Sequence, residues 1–302
     1  MEYSKPAVSF EDQISKLKIR KLKFQDETKA KKVLSRISFY RLRAYTYPFQ
    51  NNADSNHLFI GSIDFETIIK LYKFDRKLRV LIFGSLEKIE IALRTQIIYQ
   101  MAMKYGSHWH LDQTMYSDKS RAIKQLSALQ KEVNRSDETF IKHYKRKYTT
   151  PSDPPCWMGL EVASFGTLSK LYKNINNGPE KKAIARSFGI SNPFILENWM
   201  FCFSHLRNIC AHHGRLWNRR LTAKPRLLRN TKHTFINEEV IQSIHHNKLY
   251  ATLCCVQYML DQIESKHNFS GKLKKLLLKS PMEQEKEMGF PTDWQNDPMW
   301  NQ

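Results

Sequence analysis

Residues 64–105 read DFETIIKLYKFDRKLRVLIFGSLEKIEIALRTQIIYQMAMKY, without a proline and with a single glycine, Gly84. Ile68, Tyr72, Ile82, Leu86, Ile89, Leu93 and Ile97 recur at the spacing that lines one face of a 3.6-residue helix. Asp64 stands where an N-cap would stand, its carboxylate free to accept from the first exposed amides. The stretch therefore reads as one long helix, or as two that break near Gly84-Ser85. Along it, Glu87, Glu90 and Arg94 lie three or four residues apart, so their side chains can meet. An intrahelical salt bridge accounts for that spacing. So does a second arrangement, in which Glu90 and Arg94 brace a site carried by a neighbouring helix.

Working outward, the remaining segments are helical in pattern too. Residues 1–36 alternate charges with Leu and Ile and fit one or two short helices. SFYRLRAYTYPF (38–49) is dense in aromatics and arginine and ends at a proline, and NNADSNHL (51–58) has loop composition. Residues 119–148 form a charged helix ending in KHYKRKY, which the breaker PSDPP (151–155) follows. WMGLEVASFGTLSKLY (157–172) is amphipathic, and NNGPEKK separates it from a short helix at 180–188. Asn192-Pro193 opens a helix running from Phe194 to about His213. Residues 238–264 make another apolar-periodic helix, and 266–279 is lysine-rich. No internal repeat and no strand hairpin stands out, so the fold class is all-α. The chain divides into an N-terminal helical arm (1–60) with the aromatic-arginine box, a helical core (61–265), and a tail (266–302) that turns from basic to acidic and packs on the core.

Composition narrows the function classes. The chain has 302 residues, 41% hydrophobic and 12% aromatic, enough for a sizeable core and unlike a disordered chain. No run approaches the roughly 18 apolar residues of a membrane span, and the N-terminus lacks an apolar signal region. A soluble cytoplasmic protein is expected. Lys and Arg total 49 against 29 Asp and Glu, a net charge of +20. Residues 201–230 hold seven basic side chains and no acid. Such an excess favours a nucleic-acid partner over a basic surface that is merely solvated. Five cysteines, two of them adjacent, do not suggest a disulfide framework; buried inert thiols are expected. There is no CxxC or HExxH, and the pairs His212-His213 and His245-His246 point too far apart on a helix for ready metal binding. Neither a metal nor a cofactor is expected.

The chemistry gathers in HLRNICAHHGRLWNR (205–219). On a helical wheel Leu196, Trp199, Phe203, Leu206 and Cys210 make an apolar stripe, and His205, Asn208 and His212 share the opposite face. Arg207 falls on the flank, roughly 140° from His212. Either its side chain curls round, or the helix ends early, or a second subunit completes the site. Gly214 is a natural helix stop. Cleavage of RNA by its own 2′-hydroxyl needs proton transfer and positive charge on the phosphorane-like transition state. Histidine, with an ordinary pKa of about 6.5, suits the first task and the arginine fork the second. Asn208 could orient His212 or donate to an oxyanion. The same residues could instead only bind phosphate.

R-N-I-C-A-H-H-G-R-L-W-N-R resembles the signature of bacterial abortive-infection proteins of the AbiD/AbiF type, which are phage-defence factors. SFYRLRAYTYPF, EKIEIALRTQI with YGSHWHLD, PCWMGLEVASFGTLSKLY and GFPTDWQNDPMW are similar to further blocks of that family. The resemblance runs from about residue 35 to the end. It implies a HEPN-type helical bundle with added N- and C-terminal helical segments, often a homodimer with two motifs facing a shared cleft. It also implies a metal-independent endoribonuclease whose Arg-polar-x3-His motif is Arg207, Asn208 and His212, with His213 the rival histidine. Arg215, Asn218 and Arg219 match signature positions and, with Arg220 beside them, would contact RNA phosphates or brace the helix. Glu161 would pair with an arginine of the signature helix or cap a helix. Trp217, Tyr40, Tyr45 and Phe49 could stack on bases or pack in the core. A module that holds a structured regulatory RNA without cutting it is the second reading, and a DNA-binding regulator a third.

Overall fold

The computed structural model describes residues 2, 4, 6–229, 231–280, 282 and 285–301. Its backbone is 63% helical, and among the described residues there is no strand beyond three isolated bridges. The organising element is the long helix anticipated from the sequence, unbroken through Gly84 over Phe65–Tyr105. At about 1.5 Å per residue it spans roughly 60 Å. Asp64 caps it, accepting from the Thr67 amide at 2.7 Å. Before it come α1 (Phe10–Ile19), α2 (Glu27–Leu34) and α3 (Phe39–Thr46), so the long helix is α4. Ser9 and Asp12 close a capping box on α1, and Ser38 caps α3.

Three segments that read as single helices are each divided. Residues 119–148 form α5 (Lys119–Arg135) and α6 (Thr139–Lys147). Ser136 turns extended between them and its hydroxyl accepts from the Glu138 amide, a local bond that competes with helix continuation. The 157–172 segment is one turn, α7 (Cys156–Gly159), followed by α8 (Phe165–Asn174). There Ser164 caps Thr167, while Glu132 of α5 accepts from both the Ser164 amide and the Thr167 hydroxyl. After α9 (Pro179–Arg186) and α10 (Pro193–Ala211), the 238–264 segment splits into α11 (Glu238–Ser243) and α12 (Leu249–Ile263). The link between them is held elsewhere, since the Asn247 carbonyl accepts from the Leu221 amide at 2.7 Å. Helices α13 (Phe269–Leu278) and α14 (Glu285–Met288) complete the set.

α4 packs against α9, α10, α12 and α13, and α8 lies between α10 and α5. Every residue from Leu249 to Leu260 is buried, as expected of a helix that is apolar all round. The C-terminal box closes over the start of this helix. Trp300 donates to the Tyr250 hydroxyl at 3.1 Å, and Trp294, Trp300, Phe290 and Tyr250 pack tilted or edge to face. Gly289, at φ 84°, is required there, because a Cβ would collide with Lys248. Buried side chains from Ile14 to Trp300 form one continuous hydrophobic cluster.

Candidate functional site

The apolar stripe of α10 is buried as its spacing demands: Leu196, Trp199, Phe203, Leu206 and Cys210 are all nearly inaccessible. Trp199 donates to the Arg226 carbonyl at 2.7 Å. The buried Lys181 pairs with Glu197 at 2.7 Å and donates to two carbonyls at the end of α8. With that face locked, Asn208, Ala211 and His212 are presented to solvent. His205 shares their side but is engaged with Thr222 at 3.1 Å.

The helix ends at Ala211, earlier than the sequence pattern suggests, and His212 is its C-cap. The His213 amide then donates to the Cys210 carbonyl at 3.1 Å and the Gly214 amide to the Ile209 carbonyl at 2.8 Å. This pair of bonds is a Schellman turn. The expected glycine stop is corrected by one residue, for the left-handed position belongs to His213, at φ 57°. A side chain there costs on the order of 1–2 kcal/mol, which the surroundings must offset. Gly214 serves a different need: a Cβ on it would lie 3.1 Å from Ile209 Cγ2.

A buried polar network supplies that support. Asp75 of α4 accepts from the Trp217 amide at 2.7 Å, the Leu216 amide at 3.1 Å and the Tyr45 hydroxyl at 2.7 Å, and it pairs with Arg79. Arg79 also donates to the Gly214 carbonyl at 3.4 Å, and Arg41 to the His213 carbonyl at 2.9 Å. Burial pushes the Asp75 carboxyl above its ordinary pKa, while the Tyr45 hydroxyl, Arg79 and the two amides pull against it. A group that accepts from so many donors is most useful as a carboxylate.

The other expected residues fall into two groups. Arg207 donates to Asn208 Oδ1 at 3.2 Å and lies 3.5 Å from Glu90 Oε2. Glu90 also pairs with Arg94 at 2.8 Å, and Arg94 donates to the carbonyls of Ala163 and Glu161. The Arg94–Glu90 contact is an intrahelical ion pair and, through Arg207, also a link to α10. Glu161 lies beside Arg94 of α4, its carboxylate 3.8 Å away, and not against an arginine of α10; the cap of the next helix is Ser164. Burial raises the Glu90 carboxyl above its ordinary pKa, against the opposing charges of Arg207 and Arg94. Among the described residues no hydrogen bond joins Arg207 to His212 or His213.

Beyond the turn, Arg215 donates to the Ala44 carbonyl and sits over the Trp217 ring at 5.8 Å. Asn218, at φ 49°, accepts from Lys248 at 3.3 Å. Arg219 is exposed and reaches the Arg215 carbonyl at 3.4 Å; Arg220 is exposed without a polar partner among the described residues. Trp217 is buried and stacks on Phe49, and Tyr45 is buried in the Asp75 network, so these three rings belong to the core. Tyr40 stays 82% exposed. The five cysteines are buried and unpaired, and burial pushes the Cys202 and Cys210 thiols up to about 12. Among the described residues no three His, Cys, Asp or Glu side chains gather as a metal site would require, and no helix is long and apolar enough to cross a membrane.

Sequence reasoning passed over Asp75 and Arg79. A signal was available: they occupy the positions between Tyr72 and Ile82 where the apolar stripe of α4 calls for hydrophobic side chains. A charged pair four residues apart inside such a stripe is a buried pair that must have further partners.

No curated protein and no solved structure matches the chain significantly. A family comparison does match, over residues 32–218, from α2 through the Schellman turn to Asn218. The similarity noted at GFPTDWQNDPMW lies outside that span. With the match covering well over half of the chain and ending on the segment that carries the turn, this protein belongs to the Abi-like protein family, an abortive-infection family.

Proposed function

We propose that this chain is a phage-defence protein that acts as a metal-independent HEPN-type endoribonuclease, cutting RNA by attack of its own 2′-hydroxyl. The observation that carries the reading is the exposed end of α10. Asn208 and His212 face solvent there, beside an Arg207 held from behind by Glu90, which Arg94 in turn pairs with. His212 would move the proton at the attacking or leaving oxygen, Arg207 would hold the phosphate charge, and Asn208 would orient either one. Arg219 and Arg220, exposed beyond the turn, would follow the RNA backbone, and a regulatory non-coding RNA could occupy the same basic surface. Because Arg207 turns toward Asn208 and Glu90, a homodimer in which one copy's Arg207 serves the other's His212 suits the arrangement.

The test is a labelled RNA pool in EDTA with wild type, Arg207→Ala, His212→Ala and a 2′-deoxy substrate. Cleavage restricted to RNA, with 2′,3′-cyclic phosphate ends and a loss of at least ~10²-fold in each variant, is the expected result. Unchanged cleavage in both variants would place the chemistry elsewhere. Salt-sensitive binding without cleavage would support the alternative favoured by the net charge of +20, a module that holds a structured RNA.

A further inference from the structure

A second site lies on the other flank of the same turn. An open pocket of ≈ 810 Å³ is bounded by the α2–α3 connection, one face of α4 and the end of α10. Four arginines line it, Arg36, Arg41, Arg76 and Arg79, together with His213, and among the described residues no acidic side chain does. Two of the four are committed. Arg79 is matched by Asp75, and Arg41 donates to the His213 carbonyl. The side chains of Arg36 and Arg76 are exposed and make no ion pair or hydrogen bond among the described residues. Guanidinium groups gathered on one pocket without a counter-charge repel one another, an arrangement that an anion relieves. Their planar forks match phosphate oxygens in particular.

Apart from Ser38, the rest of the lining is largely apolar. Tyr72, Val80 and Phe83 come from the same face of α4, with Phe83 39% and Val80 66% exposed. Exposed aromatic and branched side chains next to unpaired arginines suit a ligand that has a flat apolar part attached to its phosphate. The volume is within the range of small-molecule sites, about 300–1,000 Å³. We infer that this pocket binds a nucleotide unit, its phosphate on Arg36 and Arg76 and its base against Phe83 and Val80. The unit comes either from a free nucleotide or from a strand that crosses the turn. The site stands whether or not Arg207 and His212 do chemistry, because it shares neither residue.

The experiment is titration calorimetry of the full-length chain at low salt with adenosine monophosphate, inorganic phosphate, ribose 5-phosphate and a short single-stranded oligoribonucleotide. The proteins are wild type, Arg36→Ala/Arg76→Ala, Phe83→Ala and Arg207→Ala. All four substituted positions are solvent-accessible, and thermal melts check that each variant folds. Saturable binding of the mononucleotide, weakened by about tenfold or more in the double variant and in Phe83→Ala but kept in Arg207→Ala, is expected if the ligand is free. Binding of the oligonucleotide alone, weakened likewise in the double variant and in Phe83→Ala, would assign the pocket to a strand. Equal affinity for phosphate, ribose phosphate and nucleotide, or indifference to both the double variant and Phe83→Ala, would overturn the proposal. Loss of RNA cleavage in Arg207→Ala with pocket binding intact keeps the two sites distinguishable.

Discussion

Asp75 and His213 show how much of the site is decided by single side chains. Asp75 is fully buried and carries four contacts: the Arg79 charge, the Tyr45 hydroxyl and two amides of the turn's exit. Asp75→Asn keeps the shape but removes the charge that matches Arg79. Losing one partner of a buried pair costs about 3–5 kcal/mol, so urea melts should show a loss of that order. A loss under 1 kcal/mol would mean that the network contributes little. His213 poses the opposite case, since its backbone conformation is one that glycine adopts freely. His213→Gly should raise the melting temperature, by relief on the order of 1 kcal/mol. The same variant separates the two histidines: retained RNA cleavage is expected if His212 carries the proton work, and abolished cleavage would transfer that role to His213.

At the scale of elements, α4 is the scaffold on which both sites are measured out. Asp75 and Arg79 sit one turn apart and hold the α10 turn, while Glu90, three turns farther along, holds Arg207. A helix that fixes two contacts so far apart must be continuous, and Gly84 between them is its weakest residue. A Cβ at Gly84 would meet nothing within 4 Å. Gly84→Ala should therefore stabilise the chain by about 0.5–1 kcal/mol, read from denaturant unfolding. Destabilisation would show that Gly84 is kept for a close approach that a Cβ would block.

For the whole molecule, acid sensitivity follows from His110. It is buried with Nδ1 unpartnered among the described residues, and burial, with His108 adding to it, lowers its pKa from 6.5 to about 4. The unfolded chain binds this proton at a higher pH than the folded chain does. Stability from this group is thus present above about pH 6.5 and is lost as pH falls toward 4, by about 3 kcal/mol at pH 4. Unfolding free energies of wild type between pH 7 and pH 4.5 should fall more steeply than those of His110→Gln. Parallel curves would assign the acid loss to other groups. The carboxylates raised by burial, Asp75 and Glu90 among them, act with the opposite sign, so the comparison with the variant isolates the histidine.

Periodicity and cap chemistry determined the helical class, the start of α4 at Asp64 and the buried face of α10, because these depend on residues three or four apart in the chain; that α4 runs unbroken through Gly84 was decided by the fold. The same local reasoning joined helices that are broken at Ser136, at Ser164 and at Ile244, where a side chain or a distant amide offers the backbone another partner. What the fold decided was which charges meet. Glu90 lies 117 residues before Arg207 and Asp75 more than 140 before the Trp217 amide. Nothing in local spacing sets such contacts. They follow from how α4 and α10 cross, and a buried charge must find its partner wherever that crossing puts one.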